Sequence, residues 1–221
     1  MAVKSRKQSK TKRATRTHKV WATLLAAMTG VGGLLIVLNG RPVPGSEGMT
    51  LTPLMAMRAP GTLESVFQTA KPVERDRWLS IVIHDSGRAT GSPKSLETEA
   101  RAMKLKGLGY HFVIGNGNGM GDGELHVGAR WLRQEPGAHV VGREAEWYNL
   151  NSIGICLVGD GERQDFTSLQ MEQLHRLVNT LSRELGVPAE KIVLHRDIAR
   201  TASPGRHFPE TAFRAGMTTG R

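Results

Sequence analysis

The chain has 221 residues, enough for one globular domain with an extension, and its 39% hydrophobic content excludes a chain that is disordered throughout. Its single cysteine, Cys156, excludes an intramolecular disulfide framework and any metal site built from several cysteines. The net charge of +10 does not indicate nucleic-acid binding, because eight of the 30 Lys and Arg residues lie in residues 1–19 and the rest of the chain is nearly neutral.

Residues 1–38 have the pattern of a membrane anchor. Residues 1–19 are basic and hold no Asp or Glu, and residues 20–38 contain no charged side chain. A helix over residues 20–38 would be about 28 Å long, close to the ~30 Å hydrocarbon core of a bilayer. The basic segment predicts a cytoplasmic tail, one transmembrane helix and an extracytoplasmic location for the remainder. The alternatives are a cleaved signal peptide, whose apolar core is usually shorter, and a buried helix of a soluble protein.

Residues 39–76 are predicted to be a linker, since prolines and glycines interrupt every periodic pattern there. A short helix over residues 63–70 is the one element expected within it. The globular domain is therefore predicted to span residues 77–217.

Five predicted strands and two predicted helices alternate in this domain. Short apolar runs rich in β-branched residues indicate strands at residues 79–84, 110–115, 124–130, 153–158 and 191–195. The first helix is expected over residues 95–106, with Ser95 as its cap. The second follows a capping box of Thr167 and Gln170 and ends at Gly186. This order predicts an α/β fold in which helices flank a central mixed β-sheet, preceded by one N-terminal transmembrane helix.

Two of the predicted strands end in histidine, at His84 and His195. A side chain at a strand end is held by a rigid scaffold and faces an open edge, and neutral imidazole is a common zinc ligand. A catalytic zinc site usually has three protein ligands and a water, and the spacing alone does not identify the third. A purely structural role is the alternative for both histidines.

Short motifs in residues 79–210 occur in a specific order, although each is weak alone: IVIHDSG, GYHFVIGNG, GDGE, GAHV, SIGICLVG and LHRDIARTASPGRHFP. Together they resemble the zinc-dependent N-acetylmuramoyl-L-alanine amidases, which share a fold with peptidoglycan recognition proteins and the amidase-type phage lysozyme. The resemblance implies that residues 77–217 are an amidase-like domain. It also implies a hydrolase that cleaves the amide between muramic acid and the L-alanine of the stem peptide in peptidoglycan.

The same resemblance implies the residues of the site. His84 and His195 match two zinc ligands, and Ser203 stands where the family has its third. Tyr110 matches a catalytic tyrosine near the metal-activated water, and Thr201 matches a position that stabilises the oxyanion. This set makes chemical sense, because zinc activates water and polarises a carbonyl, while a nearby donor stabilises the developing charge.

Ser203 departs from the family pattern, because the third ligand is usually a cysteine thiolate and a serine hydroxyl is a much weaker ligand. The alternative function is therefore a non-catalytic module of the same fold that binds peptidoglycan. Asp197 and His207 are nearby candidates for a substitute ligand. The substrate-binding candidates are His139 and Asn151, and a structural role is the alternative for each of them.

Overall fold

The structure is a computed structural model that describes residues 48–51 and 63–217, all of which belong to one unit that begins at Gly45. The predicted cytoplasmic tail and membrane anchor, residues 1–19 and 20–38, lie outside the described residues. None of the helices in the described part of the chain combines the length and apolar character that a bilayer span requires.

The described residues form one six-stranded sheet with the strand order β1-β4-β3-β5-β2-β6. Its strands are β1 (Gly48–Leu51), β2 (Ser80–Asp85), β3 (Phe112–Ile114), β4 (Leu125–Gly128), β5 (Ser152–Leu157) and β6 (Ile192–Leu194). The α-helices are α1 (Pro93–Ala102), α2 (Ala129–Leu132), α3 (Ala145–Asn151), α4 (Ser168–Leu185), α5 (His195–Ile198) and α6 (Glu210–Ala215). Short 3-10 turns cover Glu64–Phe67, Arg75–Arg77 and Ala189–Lys191.

The sheet is mixed, so the predicted α/β fold with a central mixed sheet and flanking helices is confirmed. β3, β5, β2 and β6 are parallel, whereas β4 pairs antiparallel with both β3 and β1. The inner parallel strands β2 and β5 are buried along almost their whole length. Burial on both faces explains why these strands are continuous apolar runs in the sequence.

The two faces of the sheet carry different cores. The main core lies on one face and includes the buried apolar residues of α4. A smaller cluster on the other face contains Cys156 of β5 and Leu96 of α1. His84 pairs with Cys156 across β2 and β5, and directly paired residues project to the same face. His84 therefore lies on the face of the smaller cluster.

Helix α4 begins and ends as the sequence predicts. The Thr167 hydroxyl accepts a hydrogen bond from the Gln170 backbone N–H at 3.0 Å, and the Gln170 side-chain oxygen accepts one from the Thr167 N–H at 3.2 Å. Gly186 follows the helix with φ of 72°, a left-handed conformation that glycine adopts without steric cost. The buried residues of α4 recur at helical spacing, so the helix is held mainly by the core beneath it.

Part of the predicted linker belongs to the folded domain. Gly48–Leu51 pairs with β4 at the edge of the sheet, and Leu63 and Val66 are buried in the main core. The helix expected over residues 63–70 is reduced to a single 3-10 turn. The predicted domain boundary at residue 77 is therefore too late, because short edge elements leave no periodic pattern to detect.

Two smaller boundaries also differ from the prediction. Ser92, rather than Ser95, caps α1: its hydroxyl accepts from the Ser95 N–H, and the Ser95 hydroxyl accepts from the Ser92 N–H. Strand β6 ends at Leu194, so His195 begins the short helix α5 instead of closing the strand.

Candidate active site

The carboxyl ends of β2 and β6 bring His84 and His195 together. Ile83 pairs with Leu194 across these parallel strands, so the next residue of each chain segment is a histidine at the same level of the sheet. The two ring centroids are 4.3 Å apart, with the ring planes tilted by 52°. The two predicted metal ligands are therefore neighbours in space.

A third imidazole, that of His139, contacts His84. Nδ1 of His139 lies 3.1 Å from Nε2 of His84, and Nε2 of His139 lies 3.4 Å from the carbonyl oxygen of Ser152. His139 is buried, with 7% of its surface exposed. Sequence reasoning placed this residue near the substrate, whereas the structure gives it a direct contact with a predicted metal ligand.

The position of His139 is determined by Asn149. The Asn149 side-chain oxygen accepts hydrogen bonds from the backbone N–H groups of His139 and Val140 at 2.9 and 3.0 Å, and its amide nitrogen donates to the Val140 carbonyl at 2.9 Å. Asn149, rather than Asn151, is thus the asparagine that holds this loop. The Asn151 side chain instead donates to the Trp147 carbonyl of its own helix.

Two glycines provide the space that the His139 ring occupies. A Cβ atom added to Gly137 or to Gly154 would overlap the ring of His139. The backbone N–H of Gly154 also donates to Nδ1 of His111 at 3.0 Å, while Nε2 of His111 donates to the Glu135 carbonyl at 3.1 Å. His111 is thereby a structural histidine that ties β5 to the loop carrying His139.

The imidazoles of this cluster are uncharged at neutral pH. Burial, and after it the neighbouring histidine rings, lowers the pKa of His84 well below its usual value, and burial chiefly does the same for His139. Burial also lowers the pKa of His195, an effect that nearby Asp85 opposes. Neutral imidazole is the form that binds a metal ion.

Ser203 lies at the end of β2, beside the histidines. Its hydroxyl oxygen accepts a hydrogen bond from the Asp85 backbone N–H at 3.1 Å, and its own backbone N–H donates to the Thr201 hydroxyl at 3.2 Å. The Asp85 carboxylate accepts a hydrogen bond from the Gly161 N–H at 3.0 Å, so it is tied to a neighbouring loop. The predicted third ligand position is therefore adjacent to His84, but its hydroxyl already accepts a hydrogen bond from the backbone.

The imidazoles of His84 and His195 are suitable zinc ligands, whereas the Ser203 hydroxyl at the predicted third position is a weak one. Nε2 of His195 is buried and has no hydrogen-bond partner in the described part of the chain, which is unusual unless another group completes its surroundings. Among the described residues, however, no group of three His, Cys, Asp or Glu side chains is arranged to hold a metal ion. The site thus offers two imidazoles and, at the third position, only the Ser203 hydroxyl.

The two substitute ligands considered from the sequence have other partners. The Asp197 carboxylate accepts a hydrogen bond from the Leu194 N–H at 2.9 Å and lies 3.7 Å from Arg214. Nδ1 of His207 lies 2.8 Å from the Asp165 carboxylate. Neither residue joins the histidine cluster, so the structure does not support either as the missing ligand.

Tyr110 and Thr201, the predicted catalytic residues, flank the cluster. The ring centroid of Tyr110 lies 5.2 Å from that of His84, in an edge-to-face arrangement. Burial, followed by the adjacent Cys156 thiol, raises the pKa of Tyr110 well above its usual value, so its hydroxyl stays protonated and can donate. Thr201 is exposed, and it lines a cavity together with His195.

Within the described residues, two cavities adjoin the histidines. The larger, of about 860 Å³, is bordered by His195 and Thr201. The smaller, of about 330 Å³, is bordered by Tyr110 and His139. Val141, which is 77% exposed, borders both cavities.

The sequence of this domain matches a known family. Residues 74–206 match the family model described as N-acetylmuramoyl-L-alanine amidase, and the chain therefore belongs to that amidase family. The predicted resemblance is thereby confirmed.

Curated relatives include phage endolysins and peptidoglycan recognition proteins. The chain is 36% identical over 141 residues to the endolysin of Escherichia phage T7, an alignment that covers 59% of this chain and 83% of the endolysin. It is 34% identical over 102 residues to the endolysin of Enterobacteria phage T3, covering 44% and 58%. It is 34% identical over 100 residues to the peptidoglycan recognition protein of Trichoplusia ni, covering 45% and 48%. The chain thus spans less than two thirds of the latter two relatives.

Solved structures support the fold. The N-acetylmuramoyl-L-alanine amidase LysC from Clostridium intestinale superposes with a TM-score of 0.55 at 24% identity, covering 66% of this chain and 90% of that chain. Bumblebee PGRP-SA superposes with a TM-score of 0.50 at 21% identity, covering 61% and 80%. At these identities the likeness extends to the fold alone.

Proposed function

We propose that this chain is a peptidoglycan amidase that hydrolyses the amide between N-acetylmuramic acid and the L-alanine of the stem peptide. The observation that carries the proposal is the pair of neutral imidazoles, His84 and His195, which meet beside two cavities in a member of the amidase family. The endolysin relatives support the same activity.

Zinc is the cofactor that this proposal requires. His84 and His195 would hold it, with Ser203 at the third position. Zinc, when bound, supplies an activated water and polarises the scissile carbonyl. The unpartnered Nε2 of His195 and the neutral state of both rings support a metal at this place.

Thr201 is suited to stabilise negative charge on the substrate. A hydroxyl has one O–H donor and two acceptor positions. The Thr201 oxygen accepts from the Ser203 N–H, which leaves its O–H available to donate to a carbonyl oxygen in the cavity it shares with His195. A donor held where negative charge develops lowers the activation barrier, because its hydrogen bond to the oxygen strengthens as the oxyanion forms.

Tyr110 contributes from the other side of the cluster. Its hydroxyl remains protonated, because burial raises its pKa, and its ring packs edge-on against His84. It is therefore an uncharged hydrogen-bond donor beside His84, and the Cys156 thiol is its partner in the folded chain.

The cavities have the size that a muropeptide requires. Ligand pockets typically have volumes of about 300–1,000 Å³, and both cavities fall within that range. The larger one has charged side chains at its border, among them Arg143 and Arg200, whereas the smaller one has an apolar wall that includes Leu96 and Met103. A substrate with a charged peptide and a less polar portion would match this pair.

A second candidate function is a module that binds peptidoglycan without cutting it. Ser203 favours it, because the hydroxyl is a weak ligand and is already hydrogen-bonded to the Asp85 N–H. The two candidates predict different zinc contents, near one equivalent for the enzyme and near zero for the binding module.

The decisive experiment uses the full chain purified in detergent. It is incubated with muropeptide, with and without added zinc, and free stem peptide is measured by mass spectrometry alongside the metal content. Stem peptide that appears only with bound zinc, and disappears in His195→Ala, supports the enzyme. Muropeptide binding without zinc or product identifies the binding module instead. His195 is the better test position, because the buried ring of His84 also contributes to packing.

A further inference from the structure

The hydrogen bonds of His139 determine where its proton lies. Nε2 of His139 faces the carbonyl oxygen of Ser152 at 3.4 Å. A carbonyl oxygen can only accept, so this arrangement favours the proton on Nε2 of His139. A neutral imidazole carries one N–H, so Nδ1 of His139 is then an acceptor.

The proton on His139 in turn determines the proton on His84. Nδ1 of His139 lies 3.1 Å from Nε2 of His84, within hydrogen-bond distance. Since Nδ1 of His139 accepts, Nε2 of His84 must donate. The single proton of a neutral His84 ring therefore lies on Nε2, and its Nδ1 keeps a free lone pair.

The other proton arrangements are disfavoured. If the chain of hydrogen bonds ran in reverse, the lone pair of His139 Nε2 would face the Ser152 carbonyl oxygen. If both rings were cationic, two N–H groups would point at each other across 3.1 Å. A cationic His139 alone would be a buried charge whose described hydrogen-bond partners are a carbonyl and an imidazole rather than a carboxylate, and an unpaired buried charge is costly.

Neighbouring residues restrain the position of the His139 ring. Gly137 and Gly154 leave room for the ring and border it closely on two sides. Asn149 holds the backbone on which the ring is carried. The ring is thus built into the site by the same loop that forms the border of the smaller cavity.

We propose that His139 is a positioning residue that holds His84 in the tautomer with the proton on Nε2, and so leaves Nδ1 as the nitrogen that binds the metal. A histidine ligand usually donates its second ring N–H to a carboxylate, a carbonyl or a water. Here the acceptor is the imidazole of His139, whose own tautomer is determined by its contact with the Ser152 carbonyl. The metal-binding part of the inference rests on the proposed function, whereas the tautomer does not.

The test reads the tautomer directly in the metal-free protein. Full-length protein is labelled with ¹⁵N-histidine and kept in chelator, and long-range ¹H–¹⁵N correlation spectra distinguish protonated from unprotonated ring nitrogens. Signals of His84 are those that disappear in His84→Ala. The expected result is a protonated Nε2 and an unprotonated Nδ1. A protonated Nδ1 on His84 would overturn the proposal.

Variants at position 139 separate positioning from packing. His139→Ala removes the acceptor, so the His84 tautomers should mix and zinc affinity should fall by roughly 10- to 100-fold. His139→Asn retains an acceptor oxygen close to the place of Nδ1 and should restore the tautomer and most of the affinity. His207→Ala, a histidine outside the cluster, should change neither readout.

The outcomes distinguish the inference from the proposed function. An unchanged His84 tautomer in His139→Ala refutes the positioning role, whatever the chain does with zinc. If that variant fails to fold, the wild-type spectrum and the His139→Asn variant still decide. If wild type shows the expected tautomer but binds no zinc, the proposed enzyme and the metal-binding role of Nδ1 are refuted. The role of His139 in fixing the tautomer of His84 is then still supported.

Discussion

Ser203 is the single residue on which the choice between an enzyme and a binding module depends. Its hydroxyl accepts from the Asp85 N–H, so it stabilises the end of β2 directly beside His84. A thiol at the same position would be a weaker hydrogen-bond acceptor but a far stronger zinc ligand once deprotonated. Serine at this position therefore gives a hydrogen bond to the Asp85 N–H but a lower zinc affinity than cysteine would give.

The variant Ser203→Cys should bind zinc more tightly than wild type, because thiolate is a soft, anionic ligand. Competition with a chromogenic chelator measures the two dissociation constants, and muropeptide turnover should rise in parallel. Ser86→Cys is the matched control, since Ser86 follows the same strand and bonds to the Gly159 backbone instead. Equal affinity in Ser203→Cys and wild type would show that position 203 does not face the metal.

At the scale of elements, α4 is the helix whose local signals agree best with the tertiary structure. Its capping box, its buried stripe and its glycine stop are all readable in the sequence and all present in the fold. The Thr167 hydroxyl also donates to the Asp122 carboxylate, which links the helix start to the turn between β3 and β4. The cap is therefore both a local and a tertiary contact.

Replacing the cap by Thr167→Ala should destabilise the protein by about 1 kcal/mol or somewhat more, because the N–H of Gln170 loses its acceptor and Asp122 loses a donor. Urea denaturation measures the change in the free energy of unfolding. Thr211→Ala, at an exposed position within α6, is the control and should have little effect. Zinc content should be unchanged in both variants, and a loss of zinc in Thr167→Ala would contradict the separation of cap and site.

For the whole molecule, buried neutral histidines link stability to pH. Burial lowers the pKa of His111 to about 3 and that of His126 to about 4, both below the ordinary value of 6.5. The unfolded chain therefore binds more protons than the folded chain as the pH falls from 6.5 towards 4. Stability supplied by these residues is complete above that range and declines through it.

The free energy of unfolding should thus fall on acidification, by at most about 1.4 kcal/mol per pH unit for each such histidine. Urea titrations in chelator from about pH 7.5 to about pH 4 cover most of this window and measure the slope. His126→Leu should lessen the slope by the share of one proton. A flat profile in wild type would refute the linkage.

The proposed location of the domain rests on residues 1–38, which lie outside the described residues. We expect a reporter enzyme that is active only outside the cytoplasm to be active when fused after Arg221 of the full chain. The same reporter fused to residues 41–221 should be inactive, because the basic tail and apolar run are missing. Activity only from a cytoplasmic reporter would reverse the proposed orientation.

The sequence by itself determined what depends on local pattern. The apolar runs of β2, β5 and β6 and the caps of α4 are local signals, so these elements were predictable to within a few residues. His84 and His195 were predictable as residues near strand ends, whereas the pairing of β2 with β6 that makes them neighbours is a tertiary feature. The family could be inferred from the resemblance that its short motifs carry, because they occur in a specific order along the chain.

The tertiary structure alone decided what depends on contacts between distant residues. His139 meets His84 across 55 residues of sequence, and Ser203 meets Asp85 across 118. Edge strand β1 is defined by its pairing with β4, because four residues carry too little pattern to identify a strand. The position of the proton on His84 cannot be read from the sequence at all. It follows from the contacts that His139 makes with His84 and with the Ser152 carbonyl in the folded chain.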